Sequence, residues 1–252
     1  VQSVSSKALT REDVGYVRVK SFDQNTTKDL RKHLANLHKA MPKMKGLIMD
    51  LRGNTGGLLL QSIDLSEIFL RSGETIVTVE GVAGTQRDSA KAKRDGTELD
   101  YPMVVLVDEY SASAAEIVAG ALQFHGRALV VGSRSFGKGS VQTLKENDDK
   151  SAIKITTAQY LTPGDVSIQG VGIVPDIQLI PVFVDKEDGV SMFPSKKIRR
   201  EKDLDQSLHS AKTQVRESFV TLRYLYEEAA EEKQKAEALG LTIYDLRSTA
   251  DY

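Results

Sequence analysis

Two polar residues that could carry out nucleophilic chemistry have small residues as their neighbours in the sequence. Ser113 opens a run of small apolar residues, and Lys138 lies between Gly137 and Gly139. A serine hydroxyl becomes an effective nucleophile when a base accepts its proton. A lysine that is desolvated in a cleft can be that base, because burial favours its neutral form. Gln142, four residues after Lys138, is placed to hydrogen-bond the lysine amine.

Each of these residues also has a structural explanation. The sequence Ser-Ala-Ala-Glu at 113–116 is typical of a capping box, which closes the first turn of a helix. Lys138 alone is typical of a loop charge exposed to solvent. No histidine is a better base, since His125 ends the helix that Ser113 begins and is too far along it to reach back.

A glycine-rich turn is the third element that could take part in chemistry. Residues 50–57 read Asp-Leu-Arg-Gly-Asn-Thr-Gly-Gly and follow a short apolar run. Glycines at such a turn supply positive φ angles, which is a purely structural role. Their N–H groups can also form half of an oxyanion hole, and the N–H groups at the start of a helix can supply the other half.

A phosphate-binding loop is nearly matched but is disfavoured. The segment 132–138 has the spacing G-x-x-x-x-G-K and follows a predicted strand. Gly139 stands where a Ser or Thr would bind Mg²⁺. The residues that follow, 141–145, favour a strand, whereas a phosphate loop opens a helix.

The composition excludes several classes of function. The 252 residues include 34 Lys and Arg against 35 Asp and Glu, and this balance gives no electrostatic case for binding nucleic acid. Cysteine is absent, which removes disulfides and thiolate chemistry. The four histidines form no metal-binding pair, so we expect neither a metal nor a cofactor. No apolar run approaches the roughly 20 residues of a membrane span.

The elements that must position these residues alternate along the chain. Alternation of strands with helices predicts an α/β domain with a largely parallel core sheet. Residues 80–100 are charged and contain glycine, and are therefore predicted to form a surface loop. Strands are predicted at 14–20, 46–51, 75–79, 103–107 and 128–131, helices at 27–40, 61–70 and 113–123, and a hairpin at 141–146 with 151–160.

The composition changes near residue 185. We therefore predict a core domain at 1–184 and, at 185–252, a polar linker with a helical extension. From residue 204 to 239 apolar residues recur every three or four positions, which predicts one long amphipathic helix or two. Its apolar face could pack on the chain's own core. Alternatively, it could bind a second copy of the chain or an adaptor protein.

Six collinear segments together resemble the carboxyl-terminal processing peptidases, a family of serine–lysine peptidases. The resemblance implies that Ser113 is the nucleophile, that Lys138 is the general base and that Gln142 orients the lysine. It also implies an oxyanion hole formed by the N–H of Ala114 and that of either Gly56 or Gly57. The matching segments are 15–18, 46–57, 111–123, 132–142, 160–163 and 168–176.

The resemblance also implies a fold, a substrate and a location. The fold would be a crotonase-like or ClpP-like core sheet flanked by helices. The substrate would be a polypeptide with an accessible C-terminal tail, bound as an added strand. The location would be the periplasm or cell envelope. The chain departs from the family pattern in two ways: position 115 is Ala, where many relatives have a second serine, and no PDZ-like segment is found. If residue 115 held the family nucleophile, the chain would be an inactive form. A catalytically silent peptide-binding or scaffold module on the same fold is therefore the alternative.

Overall fold

The computed structural model describes most of the chain as two compact units. One unit comprises Val1–Leu179 with Lys197–Leu222, and the other comprises Ile180–Lys196 with Arg223–Tyr252. Every candidate site residue belongs to the first unit. The predicted division at 184/185 stays a prediction. The described residues are 2–81, 84, 87–146, 151–185, 189–191, 200–204, 210–214 and 216–225.

Strands and helices alternate along the described chain, as the sequence predicted. The helices are α1 (Thr26–Ala40), α2 (Leu59–Ser66) and α3 (Ala114–Phe124). The strands are β1 (Val4–Leu9), β2 (Val14–Val19), β3 (Gly46–Asp50), β4 (Thr75–Gly81), β5 (Arg87–Lys91), β6 (Met103–Val107), β7 (Leu129–Gly132), β8 (Ser140–Glu146), β9 (Ala152–Thr162), β10 (Val166–Ser167), β11 (Ile177–Asp185), β12 (Gly189–Ser191) and β13 (Val220–Leu225).

The central sheet is mixed and has a parallel core. Its order is β1-β2-β3-β6-β7-β11-β12; the first and last pairs are antiparallel, and the four pairs between them are parallel. The strands β3 and β6 are short apolar runs, typical of parallel strands that are covered on both faces. Leu47, Met49 and Val105 are nearly or fully buried there. The predicted α/β class, with a core sheet flanked by helices, is confirmed.

A second, antiparallel sheet has the order β10-β9-β4-β5, with β8 paired to β9. Helix α3 contacts β7 of the central sheet and β4 and β9 of the second sheet. It is apolar nearly all round, as expected for a helix covered on several sides. A Cβ added at Gly120 would lie 2.6 Å from Thr162 Cγ2, so this helix needs glycine at its closest approach.

Two predictions about the elements were wrong. The predicted surface loop at 80–100 contains the strand β5, whose polar sequence reflects its exposed position at the end of the second sheet. The predicted helix at 204–239 is replaced at 220–225 by the strand β13, which pairs with β11. The sequence Val-Thr-Leu-Arg-Tyr-Leu alternates with the period of a strand.

The correction at β13 also affects the predicted partner. Residues 210–214 and 216–219 are not helical either, and Phe219 and Leu222 are exposed. The proposed contact with a second copy or an adaptor therefore has no helical face at these positions. Residues 205–209, 215 and 226–239 of the predicted helix lie outside the described residues. None of the described helices combines the length and the apolar character that crossing a membrane requires.

Candidate active site

Ser113 is held in an unusual backbone conformation between β6 and α3. It caps α3 with φ 54° and ψ −114°, a region that residues other than glycine seldom occupy. The loop before it is anchored, since Ser111 Oγ donates to the carbonyl of Leu51 (2.9 Å) and the Ala112 N–H donates to that of Asn54 (2.9 Å). Ser113 is half-buried, whereas Ala115 is fully buried in α3.

The carboxylate of Glu116 joins the serine to the lysine loop, by which we mean residues 133–139. Its Oε2 accepts the N–H groups of both Ser113 and Lys138, each at 2.9 Å. Its Oε1 accepts the Ser135 hydroxyl (2.5 Å) and the Gly137 N–H (2.7 Å). Burial raises the pKa of Glu116 from 4.5 to about 7, although these four hydrogen bonds favour the charged form.

The lysine loop packs on a second turn, at residues 169–172. The Gly139 N–H donates to Gln169 Oε1 (2.9 Å), and the Gly170 N–H donates to the carbonyl of Gly137 (2.9 Å). Gly137 has φ +95°, and a Cβ there would lie 3.0 Å from the backbone nitrogen of Gly172. Glycine is therefore required at 137 both by the backbone conformation and by the close approach.

The side chains of Ser113, Lys138 and Gln142 are not joined by hydrogen bonds within the described part of the chain. Lys138 is half-buried, and its ammonium forms no ion pair with a described carboxylate. Gln142 is exposed on β8, at an irregularity in the pairing with β9. The structure thus joins the backbones at 113 and 138 through Glu116, and the three described side chains are not hydrogen-bonded to one another.

The glycine turn lies directly against the serine. A Cβ added at Gly56 would lie 2.8 Å from Ser113 Cβ and 3.1 Å from the nitrogen of Ala114. The Gly56 N–H donates to Asn54 Oδ1 (2.9 Å). Gly57 faces Phe22 instead, since a Cβ there would lie 2.2 Å from the Phe22 carbonyl oxygen. The N–H groups of Ala114 and Gly57 have no acceptor among the described residues.

The same turn begins with a buried carboxylate, Asp50, whose role the sequence did not reveal. Asp50 accepts Tyr16 OH (2.6 Å) and is clamped by Arg52 through Nε (2.9 Å) and Nη2 (2.8 Å). Burial opposes ionisation, but the hydrogen bonds from Arg52 and Tyr16 hold the pKa of Asp50 below its usual range. The Asp-Leu-Arg spacing was visible in the sequence, whereas Tyr16 is 34 residues away.

The lysine loop does not have the geometry of a phosphate-binding loop. The lysine loop leads into the strand β8 rather than a helix, and its Ser135 hydroxyl is bonded to Glu116. Among the described residues, no group of three His, Asp or Glu side chains could hold a metal ion.

Comparison with known proteins shows that the chain is similar to peptidases. The profile of Peptidase family S41 matches residues 13–179. A carboxy-terminal-processing protease of Bartonella bacilliformis is 43% identical over 179 residues, covering 70% of this chain and 41% of that protein. The carboxy-terminal processing protease CtpA of Bacillus subtilis is 39% identical over 178 residues, covering 71% and 37%.

A solved structure, the photosystem II D1 C-terminal processing protease, superimposes with a TM-score of 0.64 at 33% identity. It matches 71% of this chain and 48% of that chain. The chain described here thus spans less than half the length of each of these three proteins.

Proposed function

Because the chain belongs to Peptidase family S41, we propose that it is the core of a serine-type peptidase in which Ser113 is the nucleophile and Lys138 the general base. The observation that carries the proposal is the Glu116 carboxylate, which accepts the backbone N–H of both residues on one oxygen. A carboxylate that is fully buried and accepts four donors fixes the relative position of the two segments.

The proposed reaction uses the serine hydroxyl and the lysine amine in turn. Ser113 Oγ attacks the scissile carbonyl while Lys138 Nζ, in its neutral form, takes the hydroxyl proton. The protonated lysine then gives this proton to the leaving amine, which leaves an acyl-enzyme. Water, activated by the same lysine, releases the acid and restores the serine. Gln142 would orient the amine after a local change that brings its side chain in from solvent.

The oxyanion would be bound by backbone N–H groups at the helix start and the glycine turn. Ala114 is one donor, because its N–H is uncommitted among the described residues and follows the nucleophile. Gly56 is the second donor that we propose, since it lies against Ser113 and Ala114. Its N–H would exchange Asn54 Oδ1 for the substrate oxygen. Gly57, which faces Phe22 but has an uncommitted N–H, is the alternative.

The relatives' names support the proposed substrate, and the family resemblance supports the proposed location. Those names describe carboxy-terminal processing, so we propose a polypeptide with an accessible C-terminal tail as the substrate. We also propose the periplasm or cell envelope as the location, on the family resemblance.

Labelling with a fluorophosphonate tests the nucleophile directly. Wild type should be labelled and should cleave a denatured protein, and Ser113→Ala should do neither. Ser133→Ala is the matched control, because Ser133 is half-buried in the lysine loop and its hydroxyl makes no hydrogen bond with the described residues. Equal labelling of Ser113→Ala would refute the assignment. A folded wild type that is neither labelled nor active would favour the catalytically silent module.

A further inference from the structure

A cavity of about 410 Å³ opens beside the lysine loop, within the first compact unit. It lies apart from the residues assigned to catalysis, none of which lines it. Its volume is in the range of cavities that hold small ligands. The polar residues that line it are Arg134, Gln178, Arg200, Glu217, Ser218 and Thr221.

Two arginines line this cavity. Arg134 and Arg200 are both half-buried, and neither forms an ion pair within the described ranges. Burial, followed by the positive charge of Arg200, lowers the pKa of Arg134. The two cations therefore repel each other across the cavity, and a bound anion would relieve that repulsion.

The charges and donors of the cavity favour a carboxylate. Two arginines and Glu217 leave one net positive charge, which a carboxylate neutralises and a phosphate dianion exceeds. The guanidinium fork matches the two oxygens of a carboxylate. Gln178, Ser218 and Thr221 add polar groups around it, and the remaining volume accommodates more than the carboxylate itself.

The first wall of the cavity is fixed by Asp176, which is buried. Its Oδ1 accepts Arg216 Nη2 (3.0 Å), and its Oδ2 accepts the Val130 N–H (2.8 Å). Its backbone carbonyl accepts the Phe219 N–H (2.9 Å), so residues 216–219 are attached at both ends. Glu217 and Ser218, which line the cavity, lie between these two attachments.

The second wall is attached to the lysine loop itself. The Glu201 N–H donates to the carbonyl of Phe136 (3.3 Å), and Gln169 Nε2 donates to Glu201 Oε1 (3.2 Å). Arg200 is thereby held beside the loop that carries Arg134. Since the two arginines come from separate, anchored segments, the cavity has a defined shape before any ligand binds.

We propose that this cavity binds a carboxylate-bearing ligand of one or two amino-acid residues, with Arg134 and Arg200 as its anion-binding residues. The ligand would be the free C-terminus of a short peptide or a free acylated amino acid, since both present the same group. The binding does not depend on proteolysis. Arg134 lies four residues before Lys138, so the ligand would sit against the loop that carries the proposed base.

Calorimetry on the full chain tests the proposal with two ligands. Acetyl-Ala-Ala represents the C-terminus of a short peptide, and acetyl-Ala represents a free acylated amino acid. The acid should bind saturably, and acetyl-Ala-Ala amide should not. Arg134→Gln and Arg200→Gln should each weaken binding at least about tenfold, as expected for loss of a charge-assisted contact. Arg200→Lys should retain part of it, because the charge remains and the fork is lost. Arg31→Gln, an exposed arginine on α1, is the matched control and should bind as wild type does.

Several results would overturn the proposal. Binding of the amide as tight as that of the acid would remove the carboxylate from the interaction. Undiminished binding by folded Arg134→Gln or Arg200→Gln would remove the arginines, and no saturable binding of either acid would remove the site. Tighter binding of inorganic phosphate than of both acids would assign the cavity to a different ligand. Urea unfolding of each variant shows that the chain measured is folded.

Discussion

Replacing Glu116 by Gln is the sharpest test of the link between the serine and the lysine loop, because the two side chains have the same shape. The amide can keep its oxygen on the N–H groups of Ser113 and Lys138. Its NH₂ group then faces the Ser135 hydroxyl, which can accept, and the Gly137 N–H, which cannot. One buried N–H loses its acceptor, at a cost of about 1–3 kcal/mol.

The pH dependence of this cost has a definite sign. Burial raises the pKa of Glu116 from 4.5 to about 7, so the folded chain binds this proton more tightly than the unfolded chain does. The resulting stabilisation is fully present below the unfolded value of 4.5 and is lost as the pH rises through about 7. At about 1.4 kcal/mol for each pH unit, the loss amounts to about 3 kcal/mol.

Urea unfolding at a series of pH values measures this loss. The free energy of unfolding of wild type minus that of Glu116→Gln should fall by about 3 kcal/mol between about pH 4.5 and pH 8. The variant should therefore compare least favourably with wild type in acid and gain on it as the pH rises through about 7. Glu12→Gln, which replaces an exposed glutamate, is the matched control. A constant difference for Glu116→Gln would refute the reasoning.

Three further substitutions test other parts of the site. Lys138→Arg should abolish cleavage without changing the urea midpoint, because arginine stays protonated; cleavage at the wild-type rate would exclude Lys138 as the base. Gly137→Ala should lower the free energy of unfolding by about 1–3 kcal/mol. Gly73→Ala is the control and should cost less, because Gly73 has a similar positive φ but no atom within 4 Å of an added Cβ. Equal losses would show that the close approach at Gly137 has no effect on stability. Tyr16→Phe removes a hydrogen-bond donor from Asp50, whose pKa in the folded chain lies below the ordinary value of 3.8. The ionised Asp50 stabilises the folded chain above pH 3.8, and this contribution is lost as the pH falls through the lowered pKa. Acid unfolding should therefore begin at a higher pH, and an unchanged acid midpoint would contradict this.

The sequence predicted what depends on local pattern. The apolar runs at 46–51 and 103–107 became central strands, and Ser113 was expected at the start of a helix, where the structure has it. Glu116 was recognised only as a capping residue, because a capping box describes contacts within one turn. Its bonds to Ser135, Gly137 and Lys138 span 19 to 22 residues, and nothing in the spacing announces them.

The two wrong elements have different physical causes. β5 is an exposed, polar strand, so it lacks the alternation of apolar residues that identifies a half-buried one. At 220–225 the apolar residues fit both the two-residue period of a strand and the three- to four-residue period of a helix. This segment forms a strand because it pairs with β11. The Asp50 cluster escaped notice for the same reason, since Tyr16 reaches it only after β2 and β3 have paired.

The way the two sheets share the chain has a consequence for folding. The second sheet takes β4 and β5 from between β3 and β6 of the central sheet, and β8 to β10 from between β7 and β11. Most pairings therefore join residues distant in sequence, a topology of high contact order that folds slowly. Lys138 lies in the segment that connects β7 to β8, and the turn at 169–172, which supports this segment, follows β10. The lysine loop therefore lies where the chain leaves the central sheet for the second sheet, and the turn that supports it lies where the chain returns.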